Sequence, residues 1–170
     1  MEIRDLYDKN RNLTGETIYK GEPIPQGKYI AVVLSFIQNS KGEFLIQKRS
    51  KVKNGKYGST SGHLETGETS LYGMIREIKE ELGLNIKPTE LELLNSGRND
   101  KEQLFFDIYY LKKDCNLNNL ILQEEEVDSV EWDSLSQIQE LINKDLFCPG
   151  HTEIFLNLKE KLKERSSILV

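Results

Sequence analysis

Cysteine is scarce. Cys115 and Cys148 are the only two in 170 residues, too few for a disulfide scaffold and without the spacing of a metal-binding pair. A thiol nucleophile is not expected either, because neither has an evident base partner in the sequence. A basic excess is missing: 23 Lys and Arg stand against 28 Asp and Glu, for a net charge of −5. Duplex nucleic acid is therefore disfavoured as a partner. Long apolar runs are missing as well. The longest, near Tyr29 to Phe36, is far too short to span a bilayer, and the opening MEIRDLYDKN has no apolar signal region. No membrane partner and a cytoplasmic location are the resulting expectations. No repeat or low-complexity linker interrupts the chain.

With 37% apolar residues and a mean hydropathy of −0.54, the chain reads as one soluble domain with a full core. Residues 2–7 and 13–19 can pair as a leading hairpin across Asp8-Lys9-Asn10-Arg11-Asn12. Pro23, Pro25 and Gly27 punctuate the entry to the main domain. Tyr29 to Gln38 reads as a buried strand, Asn39 to Gly42 as a turn, and Glu43 to Arg49 as the returning strand. Leu91 to Ser96, Gln103 to Leu111 and Val127 to Trp132 read as further strands. Ser134 to Lys144 and Thr152 to Glu164 read as helices, the last with a stripe of Ile154, Phe155, Leu158 and Leu162. The order is mixed β with helices rather than alternating βαβ, hence α+β. The expected organisation is a single domain over 1–170, with a hairpin extension at 1–28, a core at 29–144 and a C-terminal helix at 145–170.

The most informative stretch is Gly62 to Leu84, GHLETGETSLYGMIREIKEELGL. Leu71, Met74, Ile75, Ile78 and Leu82 recur at helical spacing and define a core-facing stripe. Glu77 and Glu81 are one turn apart, Glu80 is three residues from Glu77, and all three point away from that stripe. Like charges at this spacing cost a few tenths of a kcal/mol per pair in a bare helix, roughly, and a cation would turn that cost into a binding site. Thr66 or Thr69 can cap the helix, Glu68 lies where its N-terminus favours an anion, and Gly83 ends it. Gly73 is a mid-helix glycine on the carboxylate side, which leaves room there for a metal-bound ligand. Three glutamates by themselves would describe no more than a solvated face.

The spacing of every special residue, however, resembles the Nudix box. Gly62, Glu68, Arg76, Glu77, Ile78, Glu80, Glu81, Gly83 and Leu84 fill all its specified positions. The resemblance spans roughly Tyr29 to Lys144. The segment Leu6 to Lys28 is similar to the leader of a subgroup related to isopentenyl-diphosphate isomerases. The resemblance implies a central mixed β-sheet sandwiched between α-helices, with the box helix at its heart. It also implies metal-dependent hydrolysis of a small-molecule diphosphate. A carboxylate cluster without cysteine or clustered histidine favours Mg²⁺, or Mn²⁺, over zinc. Glu77 and Glu81 are the implied direct ligands, Glu80 a ligand or water-orienting base, and the Gly62 carbonyl a further ligand. Arg76, one turn before Glu80, would hold a carboxylate by a bidentate contact.

Nudix enzymes often add a carboxylate from outside the box. Glu126, then Glu125, are the choices here, against a plainer reading of residues 124–126 as an acidic solvated loop. Arg49 could grip substrate phosphate or serve solubility. Tyr57 and Phe106 could stack on a base or belong to the core. His63 reads as structural or exposed, and His151 as a helix-start residue. Two other functions compete. An isopentenyl-diphosphate isomerase of this type carries a cysteine just before the box loop, whereas Lys56 to Ser61 reads KYGSTS. A non-catalytic binding module commonly loses box glutamates, which are present here. The apolar groups of the hairpin, Ile3, Leu6, Leu13, Ile18 and Tyr19, call for a partner in a homodimer, at the substrate rim or on their own domain.

Overall fold

The computed structural model describes residues 1–167, so the last three positions of the expected C-terminal segment lie outside the described residues. The elements are β1 (Ile3–Tyr7), β2 (Leu13–Tyr19), β3 (Ile30–Gln38), β4 (Phe44–Arg49), β5 (Tyr57–Gly58), β6 (Thr60–His63), α1 (Ser70–Leu82), β7 (Leu91–Asn99), β8 (Leu104–Lys112), β9 (Val127–Asp133), α2 (Leu135–Asn143) and α3 (Pro149–Ser167). β1 and β2 form their own two-stranded sheet. The main sheet follows the hydrogen-bonded order β5-β4-β3-β8-β7, with β6 on β3 and β9 on β4. This is the α+β fold with a mixed sheet and helices that the sequence predicts. Among the described residues no helix is long and apolar enough to cross a membrane.

The chain forms two compact units. The first comprises residues 1–35, 61–79 and 85–110. In it, Leu6 and Ile18 of the hairpin bury against Ile30, with Ile24 and Leu104 packed alongside. The hairpin therefore takes the own-domain option for its apolar groups, although Leu13 and Tyr19 stay exposed. Tyr7 and Tyr29 exchange both backbone hydrogen bonds, at 2.8 and 2.9 Å. Arg11, in the hairpin turn, makes a bidentate pair with Asp107 at 2.8 and 2.5 Å, and Ser96 Oγ donates to the same carboxylate at 2.7 Å. Burial pushes the Asp107 carboxyl up, but bonds from Arg11, Ser70 and Ser96 outweigh it and hold the group below its ordinary value. β7 runs past the expected Ser96 to Asn99. Gly97 permits this, because a Cβ there would collide with the Phe106 ring. Phe106 thus covers a strand glycine in its own sheet.

The second unit comprises residues 36–60, 80–84 and 111–170. β4 pairs antiparallel with β9 from Phe44↔Asp133 to Lys48↔Ser129, then shifts register to Arg49↔Val127. Phe36 and Phe44 meet edge to face, with centroids 6.2 Å apart. α2 starts at a capping box in which Ser134 and Gln137 bond each other's backbone N–H, which makes its start legible in the sequence. α3 begins at Pro149, three residues before the expected Thr152, with proline in the first turn where no backbone donor is missed. Phe155, Leu158 and Leu162 of the expected stripe are buried.

Candidate active site

The helix of the box forms because its stripe and its caps agree. Met74, Ile78 and Leu82 are fully buried, the Thr69 hydroxyl accepts from the Tyr72 N–H at 3.4 Å, and the helix stops at Gly83 as expected. Leu71 and Ile75 are half-buried. The opposite side is not the uniformly solvated face that the spacing suggests. Glu77 is 9% exposed and Glu81 5%, whereas Glu80 is exposed.

In the first unit the Glu77 carboxylate sits against the backbone of Gly62, where any Cβ would overlap it. Arg76 Nη1 donates to Glu77 Oε1 at 3.0 Å. The same guanidinium embraces Glu68 through Nε (2.5 Å) and Nη2 (3.1 Å) and donates to the His63 carbonyl at 3.0 Å. Arg76 does make the expected bidentate contact, and its partner in that contact is Glu68. The fork geometry of a guanidinium suits this, since two parallel N–H groups meet two carboxylate oxygens. Glu68 also accepts the Glu65 N–H at 2.9 Å, closing the loop onto the helix. Gly73 has a different neighbour from the expected one. A Cβ there would overlap the Leu64 side chain and lie 3.1 Å from Glu68 Oε2. The missing side chain makes room for the folded-back loop.

In the second unit Gln47 Nε2 donates to Glu81 Oε2 at 2.6 Å, and Thr60 Oγ1 donates to Gln47 Oε1 at 3.0 Å. Gln47 and Thr60 are themselves buried, so this relay fixes the orientation of a buried carboxylate. Sequence reasoning missed both residues. The one available signal for Gln47 was a polar amide ending the apolar run Phe44 to Ile46. The Gln123 N–H bonds the Glu81 carbonyl at 3.1 Å, which ties the start of the acidic segment to the end of α1. In that segment Glu126 pairs with Lys53 Nζ at 2.9 Å, and the Glu125 carbonyl accepts from Ser50 Oγ at 2.7 Å. Arg49 Nη1 donates to Cys148 Sγ at 3.5 Å, a weak acceptor for a guanidinium. Tyr57 lies under Lys48, with Nζ 5.9 Å from the ring centroid. His151, in the first turn of α3 as expected, accepts the Ser59 N–H on Nδ1 at 3.1 Å. Burial, then the Arg49 charge, lower its pKa to about 4.

Within the first unit, the Glu77 carboxylate and the Gly62 backbone offer oxygens of the kind a hard divalent cation takes, and their contact exists only because position 62 has no Cβ. Among the described residues no three His, Cys, Asp or Glu side chains already converge on one point. Glu77 and Glu81 are held by protein donors instead.

The NUDIX domain family matches residues 28–157. An uncharacterized Nudix hydrolase of Listeria monocytogenes is 36% identical over 99% of both chains. A crystal structure from Deinococcus radiodurans superposes with a TM-score of 0.76 at 22% identity, covering 96% of this chain and 98% of that one. A bifunctional NMN adenylyltransferase/ADP-ribose pyrophosphatase from Francisella tularensis, complexed with AMP and a manganese ion, superposes with a TM-score of 0.60 at 19% identity, over 84% of this chain and 44% of that one. On the family match and the full-length likeness to a relative of that name, the chain belongs to the NUDIX domain family, among the Nudix hydrolases.

Proposed function

We propose that this protein hydrolyses, with a divalent metal, the diphosphate linkage of a nucleoside diphosphate joined to a second group or of another organic pyrophosphate. The observation that carries the reading is the pair Glu77 and Glu81. They are one turn apart on α1, both buried, and each is oriented by a donor, Arg76 or Gln47. Burying two carboxylates opposes folding unless something compensates them, and a bound cation would complete what the two donors begin. Glu77, Glu81, Glu80 and the Gly62 carbonyl would hold it, as Mg²⁺ or Mn²⁺; the Francisella structure with manganese and AMP supports this choice. Bound there, the ion would neutralise diphosphate charge and lower the pKa of water.

The other roles belong to the chain's own residues. Arg76 keeps Glu77 aimed and Gln47 keeps Glu81 aimed. Glu80, exposed beside them, meets water and can take its proton, with Glu126 as the second choice for that role. Arg49, whose guanidinium donates only weakly to Cys148 Sγ, carries a charge that can grip a phosphate.

The test is a panel of nucleoside triphosphates, ADP-ribose, dinucleotides, nucleotide sugars and isoprenoid diphosphates, incubated with Mg²⁺ and assayed by chromatography for the phosphomonoester or phosphate products of cleavage. At least one should be cleaved, and chelator should abolish the cleavage. Glu81→Gln should lower turnover by about 10²–10³-fold, as when a group that stabilises transition-state charge is removed. It should stay folded, because the amide oxygen still accepts from Gln47. Full activity in that variant or in chelator would sink the metal assignment. Efficient conversion of isopentenyl to dimethylallyl diphosphate would replace hydrolysis by isomerisation.

A further inference from the structure

We propose that Asp5 is a positioning residue for the box, and that the N-terminal hairpin is the platform from which it acts. The loop that leads into α1 has four consecutive backbone N–H groups, and each has a distinct partner. The Glu65 N–H is taken by the Glu68 carboxylate and the Glu68 N–H by the Glu65 carbonyl. The two between them are taken by the hairpin. The Thr66 N–H donates to the Ile3 carbonyl at 2.9 Å, and the Gly67 N–H donates to Asp5 Oδ2 at 2.9 Å. Two of these four donors are thus satisfied from residues more than sixty positions away in sequence, and losing one of these bonds would leave its N–H to water and loosen the turn's anchor on the hairpin.

From that turn the connection to the carboxylates is continuous. Glu68 grips Arg76, and Arg76 grips Glu77 and the His63 carbonyl. The hairpin is itself fixed at three points. Its middle is buried through Leu6 and Ile18, its first strand is bonded to Tyr29 through Tyr7, and its turn is locked by Arg11 on Asp107. A rigid strand therefore holds the loop, the loop holds Glu68, and Glu68 holds the arginine that aims Glu77. None of these residues need touch a substrate. The role rests on the proposed metal-dependent reading, since it matters for function only if Glu77 must be aimed.

The test uses the full chain with Asp5→Ala and Asp5→Asn. In the metal-free protein, NMR should show the Gly67 amide of Asp5→Ala exchanging about tenfold faster, the size set by one lost hydrogen bond to a charged group. The Arg76 Nε–H signal should shift with it. Asp5→Asn, whose side-chain oxygen still accepts, should restore both. With metal, Asp5→Ala should need several-fold more Mg²⁺ for half-maximal turnover and show a lower kcat at an unchanged substrate KM. A Gly67 amide that responds while Arg76 Nε–H does not would reduce Asp5 to a local contact and overturn the proposal. So would a wild-type response in both signals. If neither protein hydrolyses any diphosphate, the functional reading fails, while the two metal-free signals still decide whether Asp5 positions the box.

Discussion

Asp133 is 5% exposed at the end of β9, and its Oδ2 has no hydrogen-bond partner among the described residues. Burial first, then the bond and charge of Glu131, then Glu43, push its carboxyl up to about 7. In the unfolded chain the same group titrates near 3.9, roughly. The folded state therefore keeps a proton that the unfolded state releases. The stability this contributes is fully present below about pH 4 and is lost as pH rises through about 7. Asp133→Asn removes the ionisation and leaves a partner for Glu131. It should raise the Tm at pH 8 by about 2–4 °C, the shift set by roughly 1 kcal/mol in a chain of this size, and change little at pH 5. Thermal unfolding at both pH values checks this, and an equal shift at the two would rule out the carboxyl as the cause. His151 has the opposite sign. Its pKa, lowered to about 4, makes stability that is present above the unfolded value disappear as pH falls. Protonation would place a hydrogen on Nδ1, where the Ser59 N–H now donates.

For the elements, α1 offers a case where propensity and packing oppose each other. Alanine at Gly73 would gain about 1 kcal/mol of helix propensity, yet its Cβ would overlap the Leu64 side chain, which is itself 5% exposed. Overpacking of this kind costs about 1–3 kcal/mol, so Gly73→Ala should destabilise. The penalty should shrink or reverse in a Leu64→Ala background, as denaturant unfolding of the double-mutant cycle would show. Equal penalties in both backgrounds would remove Leu64 from the explanation.

The same helix shows how much the sequence makes legible. Its stripe, its caps and the box spacing are local patterns, and so are the hairpin and the Ser134 cap of α2. β5 and β6 look like loop in the sequence because two and four residues carry no period to recognise. Gln47 is invisible there because its partner, Glu81, is 34 positions away and no motif joins them. The tenant of the space beside Gly73 depends on how the loop folds back, which no spacing encodes. Glu68 falls at the helix start in both sequence and structure, but its grip on Arg76 becomes visible only in three dimensions.

On the scale of the whole molecule, the decisive question is what the N-terminal hairpin is for. Its sequence allows a dimer arm, a substrate rim or packing at home, and the buried positions of Leu6 and Ile18 beside Ile30 favour the last. Removing residues 1–20 would expose that cluster, at about 1.5–3 kcal/mol for each large side chain. It would also strip the Tyr7–Tyr29 bonds, the Arg11–Asp107 pair and the two acceptors, the Ile3 carbonyl and the Asp5 carboxylate, that hold N–H groups of the box loop. Native stability totals only about 5–15 kcal/mol, so a protein starting at Gly21 should lose cooperative unfolding altogether. A pure dimer arm makes the contrary demand. The truncated chain would then remain folded and only its association would change, through the exposed Leu13 and Tyr19. Sedimentation of both proteins, with thermal melts on the same samples, separates the two. We expect the full chain to melt cooperatively and the shortened one to show no transition. A full-length dimer whose truncated form is a stable monomer would instead make the hairpin an assembly device and remove it from the support of the box.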